Sequence, residues 1–146
     1  MRVYLGGTIS PHPSHLNWRK LASDVLHDHG ITSVDPIRFQ SPSNFSEDGL
    51  ADSTVPASFM TNVDLADVRS CDALLIVYWA PRNGSTARKS VGTWVEFGVA
   101  SHLHKPIFVV TDDPAVRDHP FVRTLAAQVF DRVEPALNAI LRLRLQ

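Results

Sequence analysis

The chain has 146 residues, of which 44% are apolar and 20% charged, and its formal net charge is −1. That is ordinary globular composition and chain enough for one core but not two, so a single domain over residues 1–146 is expected. Near-neutral charge argues against a nucleic-acid polymer or a membrane surface as partner, no apolar run is long enough to span a bilayer, and the lone Cys71 excludes an intrachain disulfide.

Val3-Tyr4-Leu5 reads as a short buried strand within residues 2–7, running into Gly6-Gly7 and then Thr8-Ile9-Ser10. Ser14 is a candidate N-cap. Trp18, Leu21, Ala22, Val25 and Leu26 then recur at helical spacing, and Gly30 ends that helix. Residues 31–34 form a second short strand, stopped at Asp35-Pro36. Residues 36–56 carry Pro, Ser, Asn, Asp and Gly with no period; a loop that long points to a lid or specificity loop, with disorder as the plain alternative. A second helix is expected from near Pro56, capped by Ser53 or Thr54, to about residue 70, with Phe59, Val63 and Ala66 toward the core. Residues 73–79 are apolar without alternation, as in a strand covered on both faces. A polar loop over 80–89, with Arg82, Arg88 and Lys89, leads into a third helix that runs to about residue 104, where Lys105-Pro106 breaks it. Then come a fourth buried strand at 107–110, a loop at 111–120, a helix at 121–127 and a weak fifth strand at 128–130. The tail, 134–145, is an amphipathic helix with Leu137, Ile140, Leu141 and Leu145 inward.

Alternating strands and helices predict an α/β doubly wound fold: a five-stranded parallel sheet in the flavodoxin-like, Rossmann-like order 2-1-3-4-5, with helices on both faces. Ligands of such sheets bind beyond the carboxyl ends of the strands, where strand order reverses. That crevice lies between the first and third strands, lined by Gly6-Gly7-Thr8 and the loop that ends at Ser90. The third helix holds one carboxylate, Glu96, among Val, Trp, Phe and Gly. Val95, Val99 and Leu103 form one apolar stripe, which Trp94, Phe97 and Ala100 widen, so little polar face remains for Glu96. A lone carboxylate in apolar company is costly unless it is paired or used.

Three other carboxylates compete for attention. Asp72, just before the third strand, suits a turn or cap. Asp64 and Asp67 lie about one turn apart on the second helix; both could be solvated, or one could approach Glu96. Two carboxylates, one ionised and one managing a proton, suit cleavage of an acetal-like bond at a sugar C1. Gly6-Gly7-Thr8 and Ser90-Val91-Gly92 are candidates for an anion or sugar cradle, although neither matches a phosphate-loop or dinucleotide fingerprint. The His27/His29 and His102/His104 pairs are two residues apart and point to different helix faces, so no metal is expected, and no cofactor. No G-x-S-x-G elbow supports Ser/His/Asp catalysis, and Cys71 reads as a small buried residue.

Tyr4-Leu5-Gly6-Gly7-Thr8, Asn62-Val63-Asp64-Leu65, Cys71-Asp72-Ala73-Leu74-Leu75, and Gly92-Thr93-Trp94-Val95-Glu96-Phe97-Gly98-Val99-Ala100 with Lys105-Pro106 resemble the nucleoside 2-deoxyribosyltransferase family, which includes the 2'-deoxynucleoside 5'-monophosphate N-glycosidases. The match spans residues 2 to about 110. The resemblance implies that Glu96 is the nucleophile that attacks C1' and holds the sugar as a glycosyl ester. It implies that Asp64 positions the sugar and handles the proton, and that Tyr4 touches the nucleophile. Thr8 falls where the monophosphate hydrolases have a phosphate-binding serine. Ser90 stands where the transferases carry a base-binding aspartate and the hydrolases a serine that binds the 5'-phosphate, which favours a nucleotide substrate.

The resemblance further implies small-molecule nucleoside or nucleotide substrates and a homo-oligomer with shared active sites, in which 111–120 is the stretch to complete a neighbour's site. With no signal peptide pattern and a single cysteine, a cytoplasmic location is expected. Two other functions compete. Gly92-Thr93-Trp94-Val95-Glu96 is also similar to part of the cytokinin-activating phosphoribohydrolase motif, but the Pro-Gly-Gly that precedes it there is absent. A non-catalytic nucleotide-binding sensor of similar fold is the other.

Overall fold

The structure, a computed structural model, describes residues 1–9, 13–38, 45–46, 49–50, 57–81 and 90–144. Five strands form one parallel sheet: β1 (Arg2–Gly7), β2 (Thr32–Val34), β5 (Ala73–Tyr78), β6 (Ile107–Thr111) and β7 (Gln128–Phe130). Their spatial order is β2-β1-β5-β6-β7, which is the expected 2-1-3-4-5 of the five sheet strands. Between β2 and β5 lies a short antiparallel pair, β3 (Phe45–Ser46) and β4 (Gly49–Leu50), inside the stretch expected to be loop. The rest of that stretch beyond Arg38, with the Ser53, Thr54 and Pro56 caps, lies outside the described residues.

Period-two alternation sorts the strand side chains between two helical layers. Val3 and Leu5 of β1, Ala73, Leu75 and Val77 of β5, and Phe108 and Val110 of β6 pack on one face. There they meet Trp18, Ala22 and Leu26 of α1 (Pro13–Asp28) and Val133, Ala136, Leu137 and Ile140 of α6 (Val133–Leu143). Tyr4, Leu74, Ile76, Ile107 and Val109 face the other way. They meet Val68 of α2 (Ala57–Ser70), Phe97 and Ala100 of α3 (Val91–His102) and Val122 of α5 (Pro120–Leu125). Tyr4 thus shares a layer with α3 because its number has the opposite parity to Val3 and Leu5.

Several local expectations are corrected. Ser14 lies inside the first turn of α1, which already includes Pro13, rather than capping it. The loop expected at 111–120 contains a one-turn helix, α4 (Pro114–Arg117), capped by the Asp113 carboxylate on Ala115 N. On α2, Phe59 is 58% exposed and Ala66 is exposed, while Val68 is fully buried. The inward face there is the Met60, Val63, Asp64, Asp67, Val68 row, which keeps Val63 of the expected face and leaves Phe59 and Ala66 outside. On α3 the expected stripe is largely outside: Val95 and Leu103 are 48% and 41% exposed. The buried face is Thr93, Glu96, Phe97 and Ala100, of which Phe97 and Ala100 belong to the expected apolar side. In the tail helix Leu137 and Ile140 are buried as expected, and Leu145 lies outside the described residues.

Candidate active site

β1 ends in Gly6-Gly7, and the packing there demands glycine. A Cβ on Gly7, whose φ is +151°, would stand 2.4 Å from the Val77 carbonyl oxygen. A Cβ on Gly6 would stand 3.2 Å from Glu96 Oε2 and from Ile76 Cγ1. Without a side chain at Gly6 the strand end lies directly against the carboxylate. Gly92 is different: a Cβ there would meet nothing within 4 Å among the described residues.

Glu96 occupies the second turn of α3 and is 9% exposed. The Tyr4 hydroxyl donates to its Oε1 at 2.8 Å, across 92 residues of sequence. Burial pushes the Glu96 carboxyl up to about 7, and the charge of Asp64 adds to the rise; the bond from Tyr4 and the charge of Arg19 pull it back. Burial, helped by the charges of Glu96 and Asp64, raises the Tyr4 phenol far above its ordinary value, so it stays a donor. Asp64 sits half-buried on the inward face of α2, where burial and then Asp67 push it up to about 6, against Arg38 and Arg19. Asp67 itself accepts from Arg38 Nη2 at 2.7 Å. The two neighbouring carboxylates of α2 therefore differ: Asp67 is tied to Arg38, and the charge of Asp64 is felt at Glu96.

The two expected cradle segments meet. Ser90 precedes α3, and its hydroxyl makes no cap bond to the helix; it lies 2.6 Å from the Thr8 hydroxyl. The first turn of α3 thus opens beside two hydroxyls, at the carboxyl end of β1. Ala80 N, just past β5, donates to Asp112 Oδ1 at 2.7 Å and closes the strand ends on that side. Arg82, Arg88 and Lys89 lie outside the described residues. Asp72 is exposed and accepts from the Arg2 amide at 2.7 Å, which ties it to the start of β1, 70 residues away in sequence, rather than to its own turn. Among the described residues no group of three or more His, Cys, Asp or Glu could hold a metal ion. No helix there is long and apolar enough to cross a membrane.

One residue was passed over in the sequence. Arg19 is 2% exposed, its guanidinium 4.6 Å from the centre of the Trp18 ring and bound to Asp35. A signal existed: Arg19, Ala22 and Leu26 share one helical stripe, so a charge stood at an inward position. As an arrangement, a buried carboxylate with a phenol donor, a second raised acid and two hydroxyls at a helix start can attack an electrophilic carbon and pass a proton beside it.

A family model described as "Nucleoside 2-deoxyribosyltransferase" matches residues 3–136. Among solved structures the chain is similar to the 2-deoxyribosyltransferase of Bacillus psychrosaccharolyticus, with a TM-score of 0.69 and 18% identity over 97% of this chain and 96% of that one. It is similar to the 2-desoxiribosyltransferase from Leishmania mexicana, at 0.65 and 17% over 97% of each chain. It is also similar to the CMP N-glycosidase of Clostridium botulinum, at 0.55 and 15% over 96% and 97%. At these identities the likeness is one of fold. No curated protein sequence matches.

Proposed function

The chain belongs to the nucleoside 2-deoxyribosyltransferase family, a family of glycosyl-transfer enzymes, and from that premise we propose that it cleaves the N-glycosidic bond of (deoxy)nucleosides or their 5'-monophosphates by way of a glycosyl-Glu96 ester. The observation that carries the reading is the buried Glu96 carboxyl, held by the Tyr4 hydroxyl beside Gly6. An ordinary surface glutamate would have neither the burial nor the fixed donor.

In the first displacement a Glu96 oxygen attacks C1'. The C1'–N bond breaks, its electron pair leaves with the base, and the base takes a proton from Asp64. In the second, water or another base attacks C1' from the vacated side and gives its proton to the Asp64 carboxylate, and the Glu96 ester opens. Two inversions give net retention. Tyr4 keeps its proton throughout and orients the carboxylate. Ser90 and Thr8, hydroxyl to hydroxyl at the start of α3, are placed in this reading to receive a 5'-phosphate. One fold neighbour is named for a nucleotide, CMP, which fits the same lean. The enzyme is also read as a homo-oligomer of this chain: Val91, Val95 and Leu103 expose apolar surface along α3 that a second copy would cover. Sedimentation of the wild type against Val95→Lys tests this, and a wild type that sediments as a monomer overturns it.

The activity test is incubation with a panel of deoxynucleosides, ribonucleosides and their 5'-monophosphates, with and without an acceptor base, followed by chromatography. Free or exchanged base is expected, and its absence from every substrate overturns the reading. Glu96→Ala should abolish release while the protein stays folded. Ser90→Ala should raise KM for a monophosphate about tenfold, the loss of one charge-assisted hydrogen bond, and leave the nucleoside unaffected.

A further inference from the structure

β1 outruns its neighbour. β2 pairs with it only as far as Tyr4↔Val34, whereas β5 follows it to Gly7. Carbonyls of a strand alternate between its two sides: Met1 O accepts from Thr32 N on the β2 side, and Arg2 O from Asp72 N on the β5 side. By that alternation the carbonyls of Leu5 and Gly7 face the side where β2 has already ended. Arg19 takes the place of the missing strand. Its Nη1 donates to Leu5 O at 2.8 Å and its Nη2 to Gly7 O at 3.0 Å. Nη1 also reaches Asp35 Oδ1 at 2.8 Å, one residue past β2. Strand carbonyls lie in the plane of the sheet, so the guanidinium, though carried by α1 on the far face, stands in that plane beside Gly6.

A neutral amide could have satisfied these carbonyls at less cost. Burying a guanidinium is expensive even when paired, and Arg19 Nε has no hydrogen-bond partner among the described residues. What a neutral donor cannot supply is positive charge next to the buried Glu96 and the half-buried Asp64. The ionisable groups facing this point are Tyr4 on β1, Asp35 and Arg38 in the turn after β2, Asp64 and Asp67 on α2, and Glu96 on α3. Of the two cations, Arg38 is bound to Asp67 at the outer side, and Arg19 is the one that grips the backbone flanking Gly6.

We propose that Arg19 is a positioning residue for sugar transfer: it holds the end of β1 around Gly6 against Glu96 and places a fixed positive charge beside that buried carboxylate. This rests on the reading of Glu96 as nucleophile. Arg19 favours the ionised form of Glu96, where Arg38 has no part, and adds to the larger effect of Arg38 at Asp64.

The test compares Arg19→Gln and Arg19→Lys with the wild type by two readouts. One is the carboxyl titration of Glu96, followed by 13C NMR of glutamate-labelled protein with Glu96→Gln identifying the resonance. The other is the pH profile of kcat/KM. Arg19→Gln should move the Glu96 titration, and with it the bell of the kcat/KM profile, up by about one pH unit. Arg19→Lys, which keeps the charge, should return the titration to near the wild-type position. A titration unmoved by Arg19→Gln, whatever happens to stability, overturns the proposal. If Arg19→Gln does not fold, Asp35→Asn decides: freeing the guanidinium of its partner should move the Glu96 titration down, and no movement overturns the proposal. A wild type that releases no base would remove the nucleophile reading, whereas the NMR titration would still decide whether Arg19 governs the charge of Glu96.

Discussion

Near pH 7 the Glu96 carboxyl is half ionised and Asp64 mostly so, because burial raises them to about 7 and about 6. The form that the proposed sugar transfer requires, Glu96 charged and Asp64 protonated, is therefore a minority species that peaks between those two values. The pH profile of kcat/KM should be a bell with its maximum there, its limbs belonging to the pair rather than to either acid alone. Asp64→Asn should remove the falling limb and leave a lower curve that only rises; steady-state rates across pH check this. The same burial has a consequence for stability. Glu96 binds its proton more tightly folded, at about 7, than unfolded, at 4.5. Its contribution is complete below pH 4.5 and is lost as pH rises through 7. Glu96→Gln carries no charge to bury, and its amide oxygen can still accept from Tyr4. It should therefore match the wild type in denaturant unfolding below pH 4.5 and exceed it by roughly 3 kcal/mol above pH 8, while showing no turnover.

At the scale of elements, the end of β1 and the start of α3 have opposite demands on glycine. Gly7 is held at positive φ with the Val77 carbonyl where a Cβ would go. Gly7→Ala should cost about 2–3 kcal/mol, from strain plus a backbone displacement. Gly92 lies in the first turn of α3 with open space around it among the described residues. Gly92→Ala should be neutral or stabilising by up to about 1 kcal/mol, the helix propensity of alanine over glycine. Parallel denaturant curves for the two variants check the contrast. The same pair of elements shows why pattern reading of α3 was incomplete. Two apolar rows share this helix, and periodicity cannot say which one finds a partner. Tyr4, Gly6 and Ile76 offer a surface that fits Glu96, Phe97 and Ala100, so the Val95 and Leu103 row is left outside.

At the scale of the molecule the sheet separates two cores. Leu137 belongs to the α1/α6 side, and Glu96 lies in the α2/α3 layer across the sheet. Leu137→Ala, at a position 2% exposed, should lower stability by about 2–5 kcal/mol through lost burial and a cavity. The limbs of the pH profile should stay in place when rates are taken well below the melting temperature. A shifted profile would mean that the sheet transmits packing changes to the acids. Arg19 differs from Leu137 in this respect, since it starts from the same side but brings its charge into the plane of the sheet.

The order of strands and their parallel pairing were legible in the sequence. Apolar runs, glycine turns and helical spacing are local signals, and right-handed crossovers then permit few arrangements. The parity that puts Tyr4 opposite Val3 and Leu5 was equally legible, as was the oddity of a lone Glu96 in an apolar helix. Which polar groups meet was settled by the packing of distant segments. Tyr4 and Glu96 are 92 residues apart, and Arg19 finds its carbonyls only because β2 stops three residues short of β1. Periodicity records which way a side chain faces, whereas a buried charge is set by what other segments of the chain bring to it.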